Sequence, residues 1–281
     1  MSEATLFVRE LLNVDFSYLD AERGLVGETW LVDIELHGEL DAQGMVFDFG
    51  HIKPLVRQAV ETEIDHKLLV PAQAVTWLSE ADSSAPRLRF ALSSGEHIEH
   101  KSPQVAICAI DTDQLTPAAV AQHLHSQLVP RLPANVRKLK LTLRPESIAG
   151  AFYHYSHGLR AHAGDCQRIA HGHRSRIEIS DGQTRRTDLE QHWARRWTDI
   201  YIASQADLRA RTRVDSVEYL TFGYSAAQGQ FEVKLPALRC EVIDTDSTVE
   251  LIAAFIAAQL PERGLTVRAF EGVNKGAVAV S

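Results

Sequence analysis

The order of periodic segments along the chain is repeated, and this repetition limits the folds that 281 residues can adopt. Between residues 6 and 143, two alternating segments precede a helical one, and two more strand-like segments, a second helix and a last strand follow. The same order recurs between residues 152 and 270. We therefore expect two tandem α+β domains, residues 1–148 and 149–281, each with an antiparallel sheet and helices packed on one face.

Several segments carry signals that set their type. Thr29–Leu40 alternates between apolar and polar residues, which predicts a strand. Apolar residues at helical spacing predict a helix over Phe49–Glu63, and Thr116 caps a second one. In the second half, helices are expected over Thr187–Ala203 and from Ser247 or Thr248 to Gln259.

Composition excludes several kinds of partner. A net charge of -8 argues against a general nucleic-acid binder, because phosphate contacts need clustered Lys and Arg. The longest strongly apolar run, Leu251–Leu260, is about half of a membrane span. Three scattered cysteines are too few for a disulfide framework, so we expect a cytoplasmic protein. From the charge and the short apolar run we expect no nucleic-acid or membrane partner.

The segment His171-Gly172-His173 has the spacing of two metal ligands on one strand. Residues i and i+2 of a strand point to the same side, so both imidazoles project together. Gly172 leaves the opposite side bare and permits close approach of another backbone. A pair of surface histidines on a hairpin is the alternative interpretation.

A third histidine would complete a metal site. His157, on the preceding strand, is the best candidate, and His154 and His162 are rivals for the same position. Three neutral imidazoles are a known Zn²⁺ ligand set that leaves the fourth position open, as in catalytic zinc sites. Iron or nickel could compete for the same nitrogens.

A cysteine lies just ahead of the paired histidines. Cys166 is in a polar loop near Arg168, and a thiol beside a dication could have a lowered pKa and act as a base. An inert loop cysteine is the alternative. Cys108 and Cys240 lie in apolar contexts that favour packing.

Two segments together resemble a known family. Tyr155-Ser-His-Gly-Leu159, Gly164-Asp-Cys166 and His171-Gly-His173 resemble the zinc and cysteine motif of the 6-pyruvoyltetrahydropterin synthase / 6-carboxytetrahydropterin synthase family. In the first half, Gly38–Lys53 followed by Ile64-Asp-His-Lys-Leu-Leu69 is similar to the other signature of that family. The resemblance implies two tandem tunnelling-fold (T-fold) copies that assemble into a barrel-like homo-oligomer.

Each half departs from the family where the other half keeps the motif. The first half has Asp15–Asp20 and Gly27–Trp30 where zinc-binding histidines would lie, and the second has Trp197–Tyr201 in place of the Asp-His step. The resemblance then implies one composite site, in which Asp65 and His66 face the zinc ligands and Cys166. Whether they meet within one chain or between chains stays open.

The family also uses acids to hold the pterin ring. By the resemblance, Glu271 after the closing strand and Glu250 at the start of the last helix would accept N–H donors from the ring. Glu146 is a weaker match in the first half. Glu250 could instead be a helix-dipole partner.

The implied activity is that of a zinc-dependent lyase. The substrate would be 7,8-dihydroneopterin triphosphate, Cys166 the proton-transferring base, and Asp65 the group that orients His66 for a second proton transfer. The product would be 6-carboxytetrahydropterin, on the queuosine (deazaguanine) route, or 6-pyruvoyltetrahydropterin. A non-catalytic member of the family that binds pterin or serves as an assembly subunit is the alternative from another class.

Overall fold

The computed structural model describes residues 2–80 and 83–281. The strands of the first half of the chain are β1 (Glu3–Asp20), β2 (Gly24–Glu39), β3 (Leu68–Pro71), β4 (Val75–Trp77), β5 (Arg87–Ala91), β6 (His97–Lys101), β7 (Ile107–Ile110) and β8 (Val136–Pro145). Those of the second half are β9 (Phe152–His157), β10 (His171–Asp181), β11 (Thr184–Arg185), β12 (Ile200–Ser204), β13 (Leu208–Val214), β14 (Val217–Ala226), β15 (Gly229–Pro236), β16 (Cys240–Ile243), β17 (Thr266–Phe270) and β18 (Gly276–Val280). The α-helices are α1 (Phe49–Glu63), α2 (Pro117–Leu128), α3 (Thr187–Arg196) and α4 (Val249–Ala258).

Two sheets share one strand order. The first runs β7-β3-β1-β2-β8, and the second runs β16-β12-β9-β10-β17-β18. In each sheet the central pair, β1–β2 or β9–β10, is antiparallel, while the next strand, β3 or β12, is parallel to its neighbour. The predicted antiparallel sheets are therefore wrong and both sheets are mixed. In each half a helix follows the central pair, and the next strand then runs parallel to the first strand of that pair. Alternation of apolar and polar residues predicts a strand but not its direction in the sheet.

A third sheet joins the two halves of the chain. Its order is β13-β14-β15-β6-β5-β4, and β15 pairs antiparallel with β6 through Glu232↔Lys101 and Lys234↔Glu99. One hydrophobic core lies under this sheet and takes side chains from both halves. The predicted division at residue 148, between Pro145 of β8 and Phe152 of β9, stays a prediction.

The helices pack against the two mixed sheets. The helix predicted over Phe49–Glu63 has those bounds, and Ile52, Val56 and Val60 are buried at helical spacing. Asp48, Thr116 and Thr248 accept hydrogen bonds from the first turns of α1, α2 and α4.

The helix predicted over Thr187–Ala203 is wrong at its second half. It ends at Arg196, and Ile200–Ser204 forms the buried strand β12. A short apolar run is compatible with either a buried strand or a helix, and here the strand places this run beside β9.

The β1–β2 pair crosses the β9–β10 pair, and this crossing positions the site. At its centre the hydroxyls of Ser17 and Ser156 are 2.8 Å apart. A Cβ on Gly172 would lie 2.7 Å from the Cα of Gly27, so no side chain fits between the strands there. The crossing brings His66, three residues after α1, next to His171, the first residue of β10. No helix of the described ranges is long and apolar enough to cross a membrane.

Candidate metal and proton-transfer site

Three buried histidines converge on one point. His157 on β9 is paired with His171 on β10, and His173 lies two residues further along β10, so all three project from one face. One ring nitrogen of each lies within 4.8 Å of the others. The Nε2 atoms of His157 and His173 are 3.3 Å apart. Two ligands of a tetrahedral zinc ion with Zn–N bonds of 2.0–2.1 Å would be separated by about 3.3 Å. We call these three residues the cage.

The outer ring nitrogens of the cage are held by the backbone. Nδ1 of His157 donates to the carbonyl of Ser247 at 2.9 Å, and Nδ1 of His171 donates to the carbonyl of Arg168 at 2.8 Å. A carbonyl only accepts, so these protons lie on Nδ1 and each Nε2 presents a lone pair. Burial holds the pKa of both imidazoles well below the usual range, which keeps them neutral. Nε2 of His171 is buried and has no hydrogen-bond partner in residues 2–80 and 83–281.

Carboxylates flank the third cage residue. Asp15 Oδ1 lies 3.2 Å from His173 Nδ1, and Glu271 Oε1 lies 3.5 Å from His173 Nε2. Burial alone would raise the pKa of Asp15, but His173, Lys275 and Thr29 hold it well below its usual range. The inner nitrogens of the cage and the carboxylate of Glu271 thus lie close together, an arrangement that a cation would stabilise. The donor set of three imidazoles fits a divalent metal ion.

The predicted relay, Asp65 and His66, lies next to the cage in the same chain. His66 follows α1 in the left-handed region with φ of 52°, and its Nδ1 is 2.7 Å from Asp65 Oδ2. The ring centroids of His66 and His171 are 5.1 Å apart. Burial lowers the pKa of His66, but interactions with Asp65 and Cys166 outweigh it and raise the pKa to about 10.

Cys166 lies between relay and cage, on a short 3₁₀ turn over Asp165–Gln167. Its sulfur is within 4.8 Å of ligand atoms of His66 and His171. Arg168 fixes this loop, because its guanidinium donates to the carbonyl of Asp65 at 3.1 Å and pairs with Asp165 at 2.7 Å. The relay, Cys166 and the cage are thus adjacent within one chain, a point that the sequence left open.

The two predicted pterin-holding acids are placed differently. The structure brings Glu271 to the edge of the cage, where a turn closed by its N–H and the carbonyl of Lys275 holds it. Glu250 is exposed on the first turn of α4, and within the described ranges its carboxylate has no hydrogen bond or ion pair. Its role stays a prediction.

The rival histidines lie away from the cage. His154 donates to the carbonyl of Gly27 at 2.8 Å on the opposite face of β9, and His162 is exposed. Sequence reasoning missed Asp15 and Ser247, which contact the cage from β1 and from the residue before the α4 cap. No local pattern marks either residue, because each partner is about ninety or more positions away in the chain.

Comparison with known proteins finds a family match for part of the chain. The family described as 6-pyruvoyl tetrahydropterin synthase matches residues 18–153. This stretch of the chain belongs to that family. The matched stretch includes the relay and ends before the cage.

Two archaeal relatives are provisionally named 6-carboxy-5,6,7,8-tetrahydropterin synthase. The protein of Pyrococcus horikoshii is 24% identical over 130 residues, which is 46% of this chain and 74% of that protein. The protein of Pyrococcus abyssi is 24% identical over 128 residues, covering 46% and 73%. Among solved structures, the 6-pyruvoyl tetrahydropterin synthase of Plasmodium vivax aligns with a TM-score of 0.43 at 18% identity over 53% of this chain and 94% of that one. The Plasmodium falciparum enzyme aligns with a TM-score of 0.42 at 15% identity, covering 51% and 91%.

A second cluster lies on the other side of the strand crossing, at the position equivalent to that of the cage. Ser17 of β1 and Ser156 of β9 meet at the centre of the crossing, so we treat them as equivalent. The strand pairings then match each position of β1 and β2 with a position of β9 and β10. The positions of the three cage histidines are held by Tyr18, Val26 and Glu28. Asp199, with φ of 53° three residues after α3, corresponds to His66.

An arginine fills this second cluster. Arg23, in the turn between β1 and β2, pairs with both oxygens of Asp199, at 2.9 and 2.5 Å, and donates to the hydroxyl of Tyr18 at 2.8 Å. Burial raises the pKa of Glu28 to about 7. We call Tyr18, Arg23, Glu28 and Asp199 the counterpart cluster. Its positive charge comes from a side chain, and it offers no histidine at any of the three cage positions.

Proposed function

We propose that the chain is a zinc-dependent lyase acting on 7,8-dihydroneopterin triphosphate. In this proposal residues 1–148 and 149–281 are two tandem T-fold copies that share one active site. The proposal rests on one observation, the convergence of cage, Cys166 and relay around the strand crossing. A homo-oligomer is expected and stays a prediction.

The proposed product is 6-carboxy-5,6,7,8-tetrahydropterin, a precursor of deazaguanines such as queuosine. The names of the two archaeal relatives support this choice over 6-pyruvoyltetrahydropterin. The two reactions differ in a measurable way, because only the carboxy product requires loss of two of the three side-chain carbons, as acetaldehyde, while the third remains as the carboxyl carbon.

The cage would hold the metal ion. His157, His171 and His173 supply three nitrogens, and carbonyls fix the first two rings so that their lone pairs face inward. A bound zinc ion would act as a Lewis acid that stabilises negative charge on the substrate side chain.

Cys166 and the relay would move protons. As a thiolate, Cys166 would accept a proton from the substrate. Asp65 engages Nδ1 of His66 at 2.7 Å, so Nε2 is the nitrogen left to exchange a proton. The raised pKa of His66 makes the imidazolium the resting form at neutral pH, which suits a proton donor.

The pterin ring would lie against Glu271. A carboxylate can accept two N–H donors from the 2-amino-pyrimidinone edge of a pterin. A cleft of about 340 Å³ opens beside the relay and the Glu271 turn, lined in part by Asp65, Arg57 and Val273. Glu250 is proposed as a second acid.

The test is turnover of purified, zinc-loaded protein with 7,8-dihydroneopterin triphosphate. We expect release of both triphosphate and acetaldehyde. Cys166→Ala should abolish turnover and retain zinc, whereas Cys108→Ala, which alters a buried cysteine away from the site, should retain both. Triphosphate without acetaldehyde would indicate the pyruvoyl product. Pterin binding without release of either product would contradict a lyase.

A further inference from the structure

Asp15 belongs to β1 in the first half of the chain, but its carboxylate lies against the cage of the second half. Its side chain is 3% exposed, and Oδ1 is 3.2 Å from His173 Nδ1. Thr29 donates to Oδ1 at 2.6 Å and Lys275 to Oδ2 at 3.1 Å. Two hydrogen bonds, from Thr29 and Lys275, therefore hold this carboxylate beside the outer nitrogen of His173.

The backbone of the same residue holds the relay. The N–H of Asp15 donates to Asp65 Oδ1 at 3.1 Å, and its carbonyl accepts from the N–H of His66 at 2.7 Å. The second contact helps to hold His66 at a positive φ that β-carbon-bearing residues rarely adopt. One residue thus contacts both parts of the composite site.

We propose that Asp15 is a positioning residue that couples the relay to the cage. Its carboxylate favours the His173 tautomer with the proton on Nδ1, so that Nε2 faces the other two cage nitrogens. Carboxylates behind metal-binding histidines act in this way, and their loss typically costs 10–100-fold in metal affinity. This inference rests on the proposed function, because it needs a metal ion in the cage.

The alternative is that Asp15 serves only as the partner of Lys275. The exposures of the two side chains argue against this. Lys275 is 49% exposed and can be hydrated without Asp15, whereas the carboxylate is buried on the side of the cage. At the equivalent position of the second half lies His154, whose Nδ1 is 3.8 Å from Glu28. Asp15 thus faces His173 across the crossing in the same way that His154 faces Glu28.

The test compares zinc affinity in Asp15→Asn and in the wild-type chain, by competition with a chelator. Asparagine keeps the size of the side chain and an acceptor for Thr29 but removes the charge. We expect zinc affinity to fall about 10–100-fold. The absorption spectrum of the Co²⁺-substituted protein should also change. Asp33→Asn is the matched control, because Asp33 is an ion-paired acid of the same strand pair whose partner, Arg144, is outside the site.

The outcomes separate positioning from general stability. A purely structural role would lower the melting temperature of the metal-free chain and leave zinc affinity unchanged, and that result overturns the inference. If Asp15→Asn does not fold, Thr29→Val removes the donor to Oδ1, and wild-type zinc affinity in that variant overturns the inference as well. A wild-type chain that binds no zinc would overturn the proposed function itself.

Discussion

The cage with its relay and the counterpart cluster occupy equivalent positions on the two sides of one strand crossing. Both gather polar side chains from both halves of the chain, and both need a positive charge. In the counterpart cluster Arg23 supplies that charge, held by Asp199 and Tyr18. Among the residues that the structure describes, no side-chain cation lies between the nitrogens of the cage, and His171 Nε2 has no hydrogen-bond partner.

The difference between the two regions separates a structural ion pair from a site prepared for a ligand. An arginine paired with a carboxylate satisfies its own hydrogen bonds and leaves nothing for a ligand to gain. Converging lone pairs without a donor are costly when buried and become favourable once a metal ion binds. The counterpart cluster is therefore a structural ion pair, whereas the cage keeps free lone pairs that can bind a ligand.

The largest predicted effect is on metal binding. His157→Phe removes a cage ligand and should lower zinc affinity by at least about a hundredfold, because the binding energy of about 10–16 kcal/mol in four-ligand zinc sites is shared among the ligands. The control is the same replacement at the equivalent position, Tyr18→Phe, which should leave zinc content unchanged. Metal analysis of both purified variants checks this. Equal zinc loss in the two would remove the distinction between the regions.

The next effect is on turnover. His66→Ala should retain zinc and lower kcat by about 10²–10⁴-fold, the usual contribution of a positioned acid or base. Its control is Asp199→Asn, at the equivalent position, which weakens a structural ion pair. That variant should lose about 1–2 kcal/mol of stability and keep its turnover per folded chain. Normal turnover in His66→Ala would argue that the relay has no role.

The smallest effect is a pH dependence confined to the counterpart cluster. Burial raises the pKa of Glu28 from 4.5 to about 7, so the folded state binds this proton more tightly than the unfolded state. Stability should therefore fall as pH rises from about 4.5 to 7. Glu28→Gln should remove that fall and gain up to about 3 kcal/mol at pH 8. Urea unfolding across this range tests it, with the exposed Glu35→Gln as control. Parallel pH profiles for Glu28→Gln and wild type would contradict it.

The sequence predicted what short-range patterns encode. Helical spacing set the bounds of α1, and alternation placed His171 and His173 on one face of a strand. Parallel pairing, the strand β12 and the third sheet were not predictable, because they depend on which distant segments pair. Arg23 and Asp15 were missed for the same reason. Each contacts a residue more than 150 positions away, as Arg23 does with Asp199.

The central claim is that relay and cage of one chain form one site. The most direct measurement is turnover of assemblies that combine Cys166→Ala chains with His66→Ala chains, co-expressed and purified through two different tags. Each chain then lacks one part of its own site, and only a site shared between chains could be restored. We predict that these assemblies are as inactive as either variant alone, beside an active wild-type control. Turnover above that of both variants would contradict a site built within one chain.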